Sequence, residues 1–491
     1  MRADIVLATI NAKWIHPSLA LRLLKANLGN LQDRCQILEF ALRQNLPEKV
    51  LPLLQAGPRI LGLSVSIWNR TATEELLAEL DKVWRPGTDR PFVVLGGPEA
   101  TYLPADSPLF AHADCLILGE GEIAFRELCE SILAGGKPGR APEGKLPVID
   151  GRLKLPDLNS LKTGYRLYTD EDLQKKLIYV EAGRGCPYSC EFCLSANEKD
   201  IRSFPLEPFL EEMDGLIRRG AKVFKFLDRT FNLDIARARR IMEFFLDRLG
   251  DRKPEAPNAD PPFVVHFEMV PLRFPPELLE TVARFPTGSL RLEIGIQSLN
   301  PEVSARIGRR SDPAAELALL RFLCANTRAI VHADLIAGLP GEDTASFGRG
   351  LDMIWEAIAA APGRAGTVEV QLGILKLLPG ARIARHSDEF GMRYADSPPY
   401  EVLQTAAVPA PEMDRIKNFA RFWELVVNRH MLDLGSGPVF ERFMEFSDRL
   451  LARFGRNWGI PKEQLRETLS LWTETGPTDA APEVMKVPNC R

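Results

Sequence analysis

Gly183-Arg184-Gly185-Cys186-Pro187-Tyr188-Ser189-Cys190-Glu191-Phe192-Cys193 is the stretch that decides the reading of this chain. Its cysteines stand as Cys-x-x-x-Cys-x-x-Cys, directly after the apolar, strand-like segment Leu177 to Val180. Three thiolates on one tight loop can each hold an iron of a [4Fe–4S] cube. The fourth iron is left open, as a cluster needs if it is to bind and cleave a ligand. The competing reading is a zinc knuckle or a chance group of thiols. Zinc usually takes four ligands from two paired sets. No second Cys or His pair lies nearby, the closest other cysteines being Cys129 and Cys324.

The spacing resembles that of the radical S-adenosylmethionine (radical SAM) enzymes. The resemblance implies that Cys186, Cys190 and Cys193 carry a [4Fe–4S] cluster and that the open iron chelates the amino and carboxylate groups of SAM. It also implies that Phe192 lies against the adenine.

Composition is that of an intracellular enzyme. A chain of 491 residues has room for two or three domains with full cores. A net charge of −4 gives no footprint for nucleic acid. Beyond the triad, Cys35, Cys115, Cys129, Cys324 and Cys490 are scattered, unlike a secreted disulfide framework, so a reducing, cytoplasmic compartment is expected. The run Ile5 to Ile10 is too short for a signal-peptide core, and no apolar stretch of about 18 residues suggests a membrane span.

Residues 1–135 alternate short apolar runs with amphipathic ones. Strands are expected at Asp4–Ile10, Gln36–Phe40, Ile60–Val65, Phe92–Leu95 and Cys115–Leu118, and helices at Ser18–Leu28, Thr73–Val83 and Ile123–Leu133. This predicts a doubly wound, flavodoxin-like parallel sheet whose ligand lies beyond the carboxyl ends of its strands. Those ends carry Ser64 and Ser66, Gly96 and Gly97, and Gly119-Glu120-Gly121-Glu122, where small residues let a large ligand approach the backbone. Beside a radical SAM loop, these turns resemble the cobalamin-binding domain of the cobalamin-dependent radical SAM enzymes. The resemblance implies that these serines, glycines and glutamates contact cobalamin. Histidine-ligating cobalamin proteins use Asp-x-His-x-x-Gly after the first strand. Here Trp14 and Leu19 replace the Asp and Gly around His16, so His16 is not expected to ligate cobalt.

Residues 136–174 are rich in Gly, Pro, Lys and Asp and read as a linker. From 175 to 380 the alternation resumes, with strands expected near Lys176–Ala182, Val223–Leu227, Val264–Glu268, Leu290–Gly295, Ile330–Ile336 and Val368–Lys376. Six units imply a partial (β/α)6 barrel with its chemistry at the carboxyl edge. By resemblance, Asp228 meets the SAM amino group, Glu293 and Gln297 lie at the ribose, and Gly338 belongs to an adenine-facing turn, Ile336–Glu342. The loop Asp251–Pro262 is expected at the surface. Residues 381–491 read as a small helical domain closing over the barrel mouth, with helices at Met413–Leu432 and Val439–Phe454 and a disordered tail from Thr475.

The family resemblance, covering about the first 380 residues, implies an enzyme using a [4Fe–4S] cluster, SAM and cobalamin, fed by a low-potential donor such as flavodoxin or ferredoxin. In that chemistry reductive cleavage of SAM yields a 5′-deoxyadenosyl radical, which abstracts hydrogen from an unactivated carbon of a small-molecule substrate. Methylcobalamin then methylates that carbon. The alternatives are a non-methylating radical cyclase or rearrangement enzyme, or a cobalamin- or redox-sensing binding protein. No catalytic side chain and no substrate can be named from the sequence.

Overall fold

The computed structural model describes residues 3–85, 89–136, 146–250, 260–361, 367–432 and 434–475. Most of the loop 251–262, the tail 476–491 and Cys490 lie outside the described residues.

The first sheet holds β1 (Ile5–Asn11), β2 (Cys35–Ala41), β3 (Ile60–Ser64), β4 (Phe92–Gly96), β5 (Cys115–Leu118) and β6 (Val148–Asp150). All pair in parallel in the order β2-β1-β3-β4-β5-β6. β1 is buried at all seven positions, as a strand covered by helices on both faces must be. Apolar cores fill both faces of the sheet. The helix Leu46–Ala56 and β6 were not named from the sequence. The helix carries Pro52 inside it and Pro47 in its first turn, where the missing N–H costs little, and Asn45 Oδ1 accepts the Glu48 N–H at 3.0 Å. β6 comes from within the expected linker and extends the sheet beside β5.

The second sheet is the expected partial barrel. Its strands are β7 (Ile178–Val180), β10 (Val223–Phe226), β11 (Val264–Met269), β12 (Leu290–Gln297), β13 (Ile330–Ala337) and β14 (Thr367–Ile374), parallel and in sequential order. Between β7 and β10 runs a short antiparallel ribbon, β8 (Gly183–Arg184) with β9 (Arg202–Ser203), and the cysteine loop is carried between its strands. On β13 every second residue is buried against the outer helices, while His332, Asp334 and Ile336 turn to the lumen.

The C-terminal segment forms a hairpin, β15 (Arg393–Tyr394) with β16 (Val402–Gln404), and helices Ala410–Val426, Phe440–Phe454 and Lys462–Thr475. The last helix was not expected. Phe419, Phe422, Trp423 and Phe443 are fully buried in the same apolar core as the barrel. Helix Ala410–Val426 packs against the edge strand β14, and helix Phe440–Phe454 packs against Ala410–Val426 and against the helix Thr344–Ala359. Among the described residues no helix is long and apolar enough to cross a membrane.

The Arg184 guanidinium bridges the two sheets. Arg184, 12% exposed, meets Glu120 at 2.6 Å and Glu122 at 2.7 Å from the β5 turn, and Glu181 at 2.7 Å from the end of β7. Arg202 also binds Glu120, and its Nη1 donates to the Pro156 carbonyl at 2.9 Å. Burial and the neighbouring glutamates push the Glu181 carboxyl up, against the pull of Arg184. Arg184→Ala leaves Glu122 and Glu181 without their cation, with only Arg202 still on Glu120, and is expected to destabilise the chain by about 3–5 kcal/mol in urea unfolding. Arg184→Lys should recover little, because one ammonium cannot serve three partners as a guanidinium does. Equal unfolding curves for wild type and Arg184→Ala would disprove the clamp.

Candidate functional site

The cysteine loop begins at Gly185, whose φ is +93° and where a Cβ would fall 2.2 Å from the Asp200 carbonyl oxygen. Only glycine enters the loop along this path. The Cys186 N–H then donates to the Glu198 carbonyl at 2.8 Å, and the Cys193 N–H to the Cys190 carbonyl at 3.1 Å. All three cysteines line one cavity of about 200 Å³ at the barrel mouth. Phe192, Glu293 and Gln297 line it too. A single metal ion would need its ligands drawn around one point, and among the described residues no three His, Cys, Asp or Glu side chains are so arranged. A cube instead takes one thiolate per iron.

The same cavity is lined by Glu268, Asp334 and Arg309. Glu293 accepts from Lys225 at 3.4 Å and lies 3.2 Å from His266 Nε2; the histidine contact, aided by Lys225, holds its carboxyl down to about 2. Burial raises Glu268, with Arg229 at 4.0 Å pulling the other way. Burial beside Glu293 and Glu268 drives Asp334 far above the usual range, and its Oδ1 finds no partner among the described residues. Gln297 Oε1 is likewise buried and unpartnered. Arg309 Nη1 stands 3.8 Å from Cys190 Sγ and offsets the burial that raises this thiol. Unmet acceptors, a guanidinium and an apolar ring suit the ammonium, carboxylate and adenine of SAM. Deeper in the lumen His266 and His332 stack at 5.8 Å, and burial holds both below the usual imidazole range, His332 at about 4. The sequence signal for these groups is ionisable residues at every second position of otherwise apolar strands, as in His332-Ala333-Asp334.

A second cavity, about 510 Å³, opens between the first sheet and the barrel. Ser64, Gly96, Gly97, Gly119, Glu120, Gly121 and Glu122 line it, facing Gly183, Leu194 and Lys199 from the barrel side. Its inner end runs between Leu7 and Phe125 over Gly62, where a Cβ would come within 2.9 Å of Leu7 and 3.1 Å of Phe125. A glycine inside a strand signals such a close approach, and Gly62 went unread in the sequence. Thr101 Oγ1 donates to the Gly97 carbonyl at 2.9 Å and accepts the Gly119 N–H at 3.1 Å, tying the two turns. This slot, apolar within and lined by small residues at its rim, fits a corrinoid tail. Ser195 and Arg229 line both cavities, so the two adjoin.

Several expected contacts fall elsewhere. The Glu120 and Glu122 carboxylates are spent on Arg184 and Arg202, which leaves their backbone to the cavity. Ser66 is buried away from it, its N–H donating to Asn69 Oδ1 at 2.8 Å. Asp228 Oδ2 accepts the Ala182 N–H at 2.9 Å, and the residue lines neither cavity. Gly338 admits the hairpin instead: a Cβ there would meet Val402 at 2.5 Å. His16 Nδ1 lies 2.8 Å from the Tyr179 hydroxyl on β7, outside the lining of the second cavity.

Comparison with known proteins agrees with both halves. The B12 binding domain matches residues 5–129 and the Radical SAM superfamily residues 180–354. The 2-(S-pantetheinyl)-carbapenam-3-carboxylate methyltransferase of Streptantibioticus cattleyicolor is 28% identical over 332 residues, 61% of this chain and 45% of that protein. The cobalamin-dependent radical SAM methyltransferase TokK of Streptomyces tokunonensis is 26% identical over 358 residues, 68% of this chain and 50% of that one. The chain thus spans about half the length of the curated relatives it matches. Among solved structures, the radical S-adenosylmethionine methyltransferase TsrM of Kitasatospora setae superposes with a TM-score of 0.61 at 18% identity, covering 84% of this chain and 81% of that one. The chain thus matches the B12 binding domain over its first sheet and the Radical SAM superfamily over its barrel.

Proposed function

We propose that this chain is a cobalamin-dependent radical SAM methyltransferase that methylates an unactivated carbon of a small-molecule substrate. The observation that carries the proposal is the shared wall: Ser195 and Arg229 border both the cysteine-lined cavity and the cavity of the first sheet. A methyl carrier and a radical source can reach one acceptor only if their sites adjoin. When bound, SAM on the reduced cluster supplies a 5′-deoxyadenosyl radical, and cobalamin supplies the methyl group. In this reading Cys186, Cys190 and Cys193 hold the cluster, and Arg309 favours the thiolate of Cys190. Asp334, Gln297 and Glu268 offer acceptors to SAM, and Glu293 is fixed by His266 and Lys225. The division into residues 1–135, 136–174, 175–380 and 381–491, a low-potential flavodoxin or ferredoxin as donor, and a cytoplasmic setting belong to the same proposal.

Three experiments test it. With a strong reductant and SAM, the anaerobic protein should release 5′-deoxyadenosine, and Cys190→Ala should lose both most of its iron and this product. With the right acceptor, S-adenosylhomocysteine should appear in a ratio of about one to deoxyadenosine, since each methylation consumes one SAM by each route. Deoxyadenosine without homocysteine product would instead indicate a non-methylating reaction.

Reconstituted with hydroxocobalamin, the protein should retain about one equivalent through gel filtration, one site per doubly wound sheet. Gly121→Leu should abolish retention, because its Cβ points between Leu24 and Ile117 in the slot. Gly97 is the poorer test, since a Cβ there would strike the Val65 carbonyl at 2.6 Å and strain the fold itself. Full retention by Gly121→Leu would refute the placement.

Because His16 is engaged with Tyr179, the cob(II)alamin form should show no nitrogen superhyperfine splitting from a histidine in electron paramagnetic resonance. Splitting in the wild type that disappears in His16→Ala would contradict this.

A further inference from the structure

We propose that Glu191, held by Arg385 and His386, is the positioning residue of the cysteine loop, and that the C-terminal segment 380–390 acts as a clasp keeping Cys190 and Cys193 at the barrel mouth. Glu191 sits between Cys190 and Phe192 in a loop whose Pro187 and Ser189 are exposed, yet it is only 5% exposed itself. A carboxylate buried there needs partners, and both come from a segment almost two hundred positions away. His386 Nε2 donates to Glu191 Oε2 at 2.7 Å, Arg385 Nε donates to the same oxygen at 3.0 Å, and Arg385 Nη2 reaches Oε1.

The backbone of Glu191 is engaged as well. Its N–H donates to the Ile307 carbonyl at 3.0 Å, and its carbonyl accepts the Ile383 N–H at 2.9 Å. Just past the last cysteine, Asn197 Nδ2 donates to the Gly380 carbonyl at 3.1 Å. The loop's own bond from Cys193 to Cys190 shapes a turn but cannot fix where that turn stands relative to the barrel. The bonds of Glu191 to segments 307 and 383–386 do so.

The clasp continues inward. The His386 ring meets Phe390 at 5.9 Å, and the Arg306 guanidinium lies 4.7 Å over Phe390 while its Nη1 donates to the Pro340 carbonyl at 2.7 Å. Pro340 belongs to the turn Ile336–Glu342. One connected set of side chains therefore joins the cysteine loop to the turn after β13. Ligands of a metal centre are oriented by the groups behind them, whose loss typically costs about 10–100-fold in retention of the metal.

This inference rests on the reading of the cysteines as cluster ligands, and the test separates the two. Full-length wild type, Glu191→Gln, Glu191→Leu, His386→Gln and His386→Leu are reconstituted anaerobically with iron and sulfide. Iron per chain, loss of iron to a chelator, and the electron paramagnetic resonance of the reduced cluster with and without SAM are then measured, with circular dichroism and hydroxocobalamin retention reporting the fold. Glu191→Leu and His386→Leu should lose iron about tenfold faster or more, with an altered SAM-induced spectral change, while the Gln variants, which keep a hydrogen-bonding group, should recover part of the retention. Folded Leu variants with wild-type loss rates and spectra would overturn the clasp. A lowered melting temperature with unchanged cluster readouts would also overturn it, marking Glu191 as ordinary core support. A wild type that takes up no cluster would overturn the reading of the cysteines themselves.

Discussion

The Arg184 guanidinium, buried among Glu120, Glu122 and Glu181, is the constraint on which the arrangement of this protein depends. It stands two residues before Cys186, so the group that draws the first sheet against the barrel also fixes where the cysteine loop begins. A buried ion cluster of this kind contributes modest net stability, because desolvating the charges offsets much of their attraction. Its effect is on geometry. Removing one member leaves uncompensated charge, so alternative ways of setting the two sheets against each other are penalised.

A second consequence follows from that docking. The carboxyl ends of β3, β4 and β5 face the ribbon and the cysteine loop, and the cavity between them shares Ser195 and Arg229 with the cavity of the cysteines. Further contacts reinforce the docking. Arg22 joins Glu39 at 2.8 Å to Asp172 at 2.9 Å, and Tyr400 of the C-terminal segment donates to Glu99 Oε1 at 2.5 Å. The C-terminal segment thus touches both halves: Tyr400 meets the first sheet, and residues 380–390 meet the cysteine loop.

The lumen shows how a barrel can be stable and still polar inside. Its apolar core lies outside, between strands and helices, where Val331, Ala333 and Leu335 are fully buried. The inward positions are therefore free to carry Lys225, His266, Glu293, His332 and Asp334. Some of these pair with one another, as Glu293 does with Lys225 at 3.4 Å. Others, Asp334 and Gln297 among them, keep unmet acceptors at the mouth, where a ligand can meet them.

The sequence by itself determined whatever depends on local order. The period-two and helical patterns of both sheets are legible because each is set by residues a few positions apart. Cys186, Cys190, Cys193, Phe192, Glu293 and Gln297, singled out by local motif, line one cavity. The structure alone decided where charges and close contacts go. Glu120 and Glu122 look like rim residues until Arg184, more than sixty positions on, claims their carboxylates. Gly338 looks like part of a ligand turn until Val402 is packed against it, and Asp228 until it caps Ala182. The short β6 carries no periodicity of its own and becomes a strand only because β5 offers it an edge. Local patterns report which face of an element is buried; which distant side chain meets it is settled only when the elements pack.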